Sequence, residues 1–310
     1  MTRTAAAKVV LTYFSVASMI FATAYFFPRN IPASVFLSIL LLFPIFLWHR
    51  NWRGKKKLSK EINGRDKRRV IFWVLTIFSL AMLVRIPSAL LFGMPYEKTP
   101  LIYLTILTIV IVEKTDVSAF GFKTKNFGKS LLYGLVFFAL LYGLALLISN
   151  ILVYAFTYQL PVQTFDFMPV LSAMPFMTLC VGISEEGLFR GYTQTHLEKF
   201  YSKREAVFIQ AVLFGVWHFV WNLSPFDPLG MARYVGNTFF IGLMFGYMYS
   251  KSRNLVPLMF AHGLWNSVPE GIVTSVAALE MSNQMLLWTL PYLVSAMFMF
   301  FFIKYLVKEI

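Results

Sequence analysis

The chain has 310 residues, 58% of them hydrophobic and only 14% charged, with a mean hydropathy of +0.66. Soluble domains carry about a quarter charged residues, so this composition excludes an ordinary soluble domain; apolar runs of about 17 residues or more recur from end to end and point to an all-α, polytopic transmembrane helical bundle. The net charge of +14 does not read as a nucleic-acid footprint, because ten basic residues fall between Arg50 and Arg69, against Glu61 and Asp66, in a loop between two apolar runs where lysine and arginine set membrane orientation.

In chain order, the apolar segments predict spans over 9–27, 31–49, 70–93, 100–114, 129–157, 168–198, 205–222, 232–250, 254–273 and 284–306, a bundle of about eight to ten spans. The first run lacks a small-x-small cleavage site and reads as a span, not a signal peptide. With the 50–69 loop on the cytoplasmic side, both termini are cytoplasmic. The loops holding Lys114, Lys123, Lys125 and Lys129, then Lys199, Lys203 and Arg204, then Lys251 and Arg253, fall on the same side. The opposite loops hold few basic residues: Arg29, Lys98 and Arg233. Residues 1–69 are expected to form two extra N-terminal spans plus the basic loop, and 70–310 a single membrane core. Segment 115–128 reads as an amphipathic connector, and Arg85, inside the third span, needs a partner or must snorkel. Cys180 is the only cysteine, so no internal disulfide can form.

The polar residues of the C-terminal half do not suit hydrocarbon. Ser184-Glu185-Glu186-Gly187-Leu188-Phe189-Arg190-Gly191 places two carboxylates and a guanidinium inside an apolar run, at about 2.5–3.5 kcal/mol per charge on insertion scales. Glu185 lies 14 residues before Lys199 and His218 lies 14 residues after Arg204, each about 21 Å at helical rise. His262 and Asn266 lie 9 and 13 residues beyond Arg253, about 13–20 Å. Three helices thus bring polar groups to a similar depth. Glu186 and Arg190, four residues apart, share a face and are placed to pair; His262 and Asn266 likewise present together. Glu185, rotated by about 100° from Glu186, is left as the working base.

The chemistry that follows is hydrolysis with a water nucleophile: Glu185, helped by His218, deprotonates the water, while His262 and Asn266 face the oxyanion. Ser184 and Cys180 read as small packing residues, since neither has a histidine at helical spacing. Phe214 reads as core beside the site, and Asn237 as a candidate lining residue. Glu270 is ambiguous between site rim and loop, and His49 and His196 carry no assigned role.

Glu185-Glu186-x-x-x-Arg190, Phe214-x-x-x-His218 and His262-x-x-x-Asn266, in this order and with Gly191-Tyr192 after the arginine, resemble the three motifs of the CPBP family. This family comprises the type II CAAX prenyl endopeptidases and the Abi-like bacteriocin-processing membrane proteins. The resemblance extends over about 115–306. It implies an intramembrane glutamate protease with a cytosol-facing cavity, Glu185 and His218 activating water and His262 with Asn266 stabilising the oxyanion. The implied substrate is a peptide or lipidated protein C-terminus, reached from membrane lipid, with no nucleic-acid partner. The implied location is the plasma membrane in a prokaryote or the endoplasmic reticulum in a eukaryote. No cofactor is expected on this reading. Two alternatives stay open: a zinc-dependent protease using Glu185, His218 and His262 as ligands, though no His-Glu-x-x-His helix is present, and a non-enzymatic immunity or scaffold protein that binds a peptide. A transporter is disfavoured because neither an internal repeat nor a broken helix is evident.

Overall fold

In the computed structural model the described residues are 3–26, 64–158, 167–268 and 281–310. The expected span at 31–49, most of the basic loop, His49 and Glu270 lie outside them. Among the described residues the chain forms helices and no strand: α1 (Arg3–Phe26), α2 (Gly64–Phe92), α3 (Lys98–Val112), α4 (Phe127–Thr157), α5 (residues 167–197), α6 (Lys203–Trp217), α7 (Pro228–Ser252), α8 (Val256–Ser267) and α9 (Met281–Tyr305). Each expected span that falls within these residues coincides with a helix.

Four of these helices, α1, α2, α4 and α5, are long and apolar enough to cross a membrane. Among the other expected spans, α3, α6 and α8 are shorter. α3 has 15 residues, about 22 Å at helical rise, against about 30 Å of hydrocarbon. α6 stops at Trp217, where His218 is the C-cap and a 3₁₀ turn, Phe219–Asn222, follows.

α1, expected as part of a peripheral addition, packs against α3 and α2, with the Tyr13 hydroxyl donating to the Leu80 carbonyl at 3.0 Å. Its buried residues Val9, Tyr13 and Ile20 belong to the same hydrophobic cluster as Phe189, Phe214 and Trp217. α5 is not a uniform α-helix. One α turn, Ile183–Glu186, sits between two π-helical stretches, Met177–Gly182 and Gly187–Gln194. π turns recur at functional sites; here they bracket the adjacent glutamates.

α6 opens with a capping box, the Ser202 hydroxyl accepting from the Glu205 amide while the Glu205 carboxylate accepts from the Ser202 amide. α6 then packs tightly along α7, where Gly242 and Gly246 clear the approach. The Gln210 amide donates to the Gly242 carbonyl at 2.8 Å and the Gln194 amide to the Gly246 carbonyl at 3.0 Å. Small residues that let backbones approach, with amide side chains bonding across them, are the common glue of helices in lipid.

α8 is seated by the 115–128 connector. Gly121, with φ +89°, turns the chain after a 3₁₀ turn (Val117–Phe120), and its carbonyl accepts from the Leu255 amide at 2.8 Å. The Asn254 side chain bonds the Val256 amide at 2.9 Å and the Ser130 hydroxyl of α4 at 3.2 Å. Along its length α8 lies against glycines or supplies one. A Cβ at Gly182 of α5 would come within 2.9 Å of the Met259 carbonyl oxygen, and one at Gly263 within 2.7 Å of Thr178 Cα. Gly263 is adjacent to His262, so this contact fixes where that imidazole stands. Gly263→Val is expected to lower stability by about 1–3 kcal/mol through overpacking, read as a lower melting temperature of the purified protein in detergent. An unchanged melting temperature would contradict the close α5–α8 contact.

Candidate active site

The sequence places Glu185 and Glu186 on one turn but about 100° apart around the helix, and the structure gives them different neighbours. Glu186 faces along its own helix and toward α8. Its Oε1 accepts from Arg190 Nη1 at 3.2 Å, the i,i+4 pair expected from the spacing, and from His262 Nδ1 at 2.7 Å. Both ions are fully buried. The Arg190 guanidinium also lies over the Phe214 ring at 4.1 Å and the Phe245 ring at 5.1 Å, so aromatic faces share in its stabilisation.

Glu185 faces the other way. Its Oε1 accepts from the Lys98 ammonium and from Trp217 Nε1, the latter at 3.0 Å, with Arg85 Nη1 at 4.0 Å. Its Oε2 is buried without a hydrogen bond and points between two imidazoles, 3.9 Å from His218 Nε2 and 3.7 Å from His262 Nε2. Four helices therefore meet at this carboxylate: α3 through Lys98, α6 through Trp217 and the following His218, α8 through His262, and α2 through Arg85.

The histidines are oriented from behind. His218 Nδ1 is 2.8 Å from the Phe214 carbonyl and so donates to it; His262 Nδ1 likewise donates to Glu186. A hydrogen bond at one ring nitrogen sets the role of the other. In the neutral form, both Nε2 atoms carry lone pairs directed toward Glu185 Oε2. Phe214 is buried, with its ring 4.7 Å from the His218 ring and 6.3 Å from the His262 ring, so it serves as core and as a wall of the site.

Sequence reading missed part of this arrangement. Lys98, read as an outer-loop charge, is buried at the start of α3 and reaches Glu185. Arg85, which needs a partner by sequence, meets the Glu97 carboxylate, the Trp217 carbonyl at 2.8 Å, the Trp217 ring at 4.1 Å and Glu185 Oε1 at 4.0 Å. Glu97 also pairs with Lys98 at 2.9 Å, completing the chain Arg85–Glu97–Lys98–Glu185. Two charges adjoining an apolar run that already holds an unpaired arginine were the available signal. Asn266 and Asn237 are exposed, unlike the buried Glu185 and His262. Ser184 bonds the Val181 carbonyl at 3.0 Å, and Cys180 is buried. His196 lies elsewhere, with Nε2 2.7 Å from Glu113 and Nδ1 3.0 Å from Lys199.

Glu185 Oε2 with two imidazole Nε2 atoms is chemically a zinc-type donor set, but its surroundings are not. Separations of 3.7 and 3.9 Å are wider than the roughly 3.4 Å between tetrahedral zinc ligands, and no group of three metal-binding side chains occurs at ligand spacing among the described residues. Lys98 and Arg85 already bring positive charge to the same carboxylate. The site does not fit a bound divalent cation.

Removing Arg190 would leave a buried carboxylate opposed only by His262. Arg190→Met is expected to cost about 3–5 kcal/mol, measured as a fall in thermal stability, and pairing it with Glu186→Gln is expected to recover part of the loss. A single variant as stable as the parent would refute the brace.

Residues 167–268, the segment that holds all three motifs, match the family described as type II CAAX prenyl endopeptidase, Rce1-like. No curated protein and no solved structure matches the chain significantly. The family match is narrower than the resemblance over 115–306, yet it spans α5 to α8, the helices that bring Glu185, His218 and His262 together. With the apolar helices, it supports an integral membrane protein and, at the family level, an intramembrane CAAX-type protease. The chain thus carries, over residues 167–268, a segment similar to the Rce1-like type II CAAX prenyl endopeptidase family, which supports the resemblance read from the three motifs.

Proposed function

We propose that this protein is an intramembrane endopeptidase in which Glu185 and His218 activate a water molecule against a peptide bond near the C-terminus of a lipidated protein. One observation carries the reading: a buried, unpartnered carboxylate oxygen, Glu185 Oε2, stands 3.9 Å from a histidine nitrogen whose ring is oriented from the opposite side. That gap exceeds a hydrogen bond, and a water donating to both acceptors at about 2.8 Å each spans it.

In this mechanism the water gives one proton to Glu185 Oε2 and bonds His218 Nε2 with the other, and the resulting hydroxide attacks the scissile carbonyl. The negative charge then passes to the carbonyl oxygen. His262 bears Glu186 on its Nδ1 side at 2.7 Å, so an imidazolium there is supported from behind much as a triad histidine is by its aspartate. Its Nε2–H, with the exposed Asn266 amide one turn further along α8, supplies donors for the oxyanion. On collapse, the proton held by Glu185 goes to the departing amine. No serine or cysteine nucleophile and no metal takes part.

The substrate reading rests on the family domain, whose printed description names CAAX prenyl endopeptidases. A prenylated C-terminus enters from the lipid with its peptide exposed to water. The membrane is the plasma membrane in a prokaryotic cell and the endoplasmic reticulum in a eukaryotic one.

The test is cleavage of a farnesylated CaaX peptide by the purified protein in detergent. Glu185→Gln and His218→Ala are each expected to lower kcat by about 10²–10⁴-fold, the usual range for a lost general base or its partner. Undiminished cleavage by both variants would overturn the assignment, as would the absence of cleavage by the parent protein. Activity is also expected to survive exhaustive treatment with a zinc chelator; loss of cleavage that is restored by added zinc would favour the metal-dependent alternative.

A further inference from the structure

Lys98 lies outside the matched segment and outside all three motifs, yet its ammonium donates to the proposed catalytic carboxylate. Its surroundings give it little freedom. It begins α3, is buried, and is held from one side by Glu97 Oε1 at 2.9 Å, a carboxylate itself engaged by Arg85. From the other side it meets Glu185 Oε1, the oxygen that also accepts from Trp217 Nε1 at 3.0 Å. The two oxygens of Glu185 are therefore unequal. Oε1 takes both donors and lies 4.0 Å from Arg85, while Oε2 takes none and faces the imidazoles at 3.7 and 3.9 Å.

We propose that Lys98 is a positioning residue that acts through Glu185: by holding Oε1, the ammonium fixes the carboxylate rotation and leaves Oε2 as the one oxygen available to the nucleophilic water. A glutamate has three rotatable side-chain bonds and two equivalent oxygens. Unrestrained, its carboxyl would turn, and either oxygen could bond His218, His262 or the water. An ammonium suits the task because it is a donor that cannot accept and brings the charge that a desolvated carboxylate needs. The Trp217 indole adds direction to the same oxygen from the residue next to His218, so the base and its partner are referred to a common frame. This role rests on the proposed reading of Glu185 as the base.

The experiment compares kcat, KM and melting temperature of the full-length parent, Lys98→Met, Lys98→Gln, Trp217→Phe and Glu185→Gln on a farnesylated CaaX peptide in detergent. Misplacing a reacting group by about 1 Å costs about 10²-fold, so Lys98→Met is expected to lower kcat by about that factor with KM within about twofold, the signature of an interaction that matters in the transition state. Lys98→Gln, which keeps an N–H donor without the charge, is expected to recover part of the loss. Trp217→Phe is expected to lose about tenfold on the same physical ground. A purely structural Lys98 would lower the melting temperature and leave kcat per folded molecule unchanged. Parental kcat in Lys98→Met, or a loss carried only by KM, would overturn the proposal while Glu185→Gln remains inactive. Should Lys98→Met fail to fold, Lys98→Gln and Trp217→Phe decide it by the same criterion. Cleavage by Glu185→Gln at the parental rate would instead sink the reading of the site, and the role of Lys98 with it.

Discussion

Charge neutralisation inside a low-dielectric interior is the constraint on which the other features of this structure depend. Arg85, Lys98 and Arg190 are set against Glu97, Glu185 and Glu186, and every one of these side chains is buried. An isolated ion in such a place carries a desolvation penalty of several kcal/mol, and removing one member of a pair leaves the other uncompensated. The ions also come from different helices. Arg85 belongs to α2, Glu97 and Lys98 to the start of α3, and Glu185, Glu186 and Arg190 to α5, so pairing them fixes how those helices lie against one another. Two ionic networks meet at one peptide bond: Glu185 closes the chain through Lys98, Glu97 and Arg85, while Glu186 closes a separate one with Arg190 and His262.

Electrostatics sets which helices must meet, and small residues set how closely. Between two apolar helices in lipid there is little hydrophobic gain from contact, so packing and interhelical bonds carry the association. The glycines sit where this matters. Gly182 and Gly263 bring α5 and α8 together beside the glutamates and His262, and Gly242 and Gly246 bring α6 and α5 onto α7, where glutamine amides bond the carbonyls facing them. The buried aromatic residues Phe189, Phe214 and Trp217 fill the remaining space, and two of them double as site components. Phe214 orients His218 through its carbonyl and lies under Arg190; Trp217 donates to Glu185.

What could be read from the sequence was whatever obeys local periodicity. Glu186 and Arg190 pair as their four-residue spacing requires, and Glu185 turns away from them as a 100° rotation requires. The helices, too, appear where apolar runs place them. Three features escaped because their causes are not local. Hydropathy reads any charge between two apolar runs as a boundary and so places Lys98 in a loop, whereas its partner Glu185 lies 87 residues further along the chain. The π-helical stretches around Ile183–Glu186 depart from the 3.6-residue period on which facing arguments rest. Asn266 shares a face with His262 by spacing, yet it is exposed one turn beyond a buried histidine, because spacing gives direction and not depth.

Adjacent glutamates with different tasks follow from the same geometry. On an α turn, neighbouring residues diverge by about 100°, so two identical side chains can be delivered to different surroundings at the expense of no extra structural element. Glu186 has one oxygen shared between a guanidinium and an imidazole, an arrangement suited to holding a positive ring nitrogen in place. Glu185 has one oxygen saturated by an ammonium and an indole and the other bare, an arrangement suited to taking a proton from a bound water. Exchanging the two residues' partners would leave the net charge of the site unchanged and remove its function as proposed. It is thus the direction of each carboxylate, set by the turn and by helices α3, α6 and α8, that separates a structural ion pair from a candidate base.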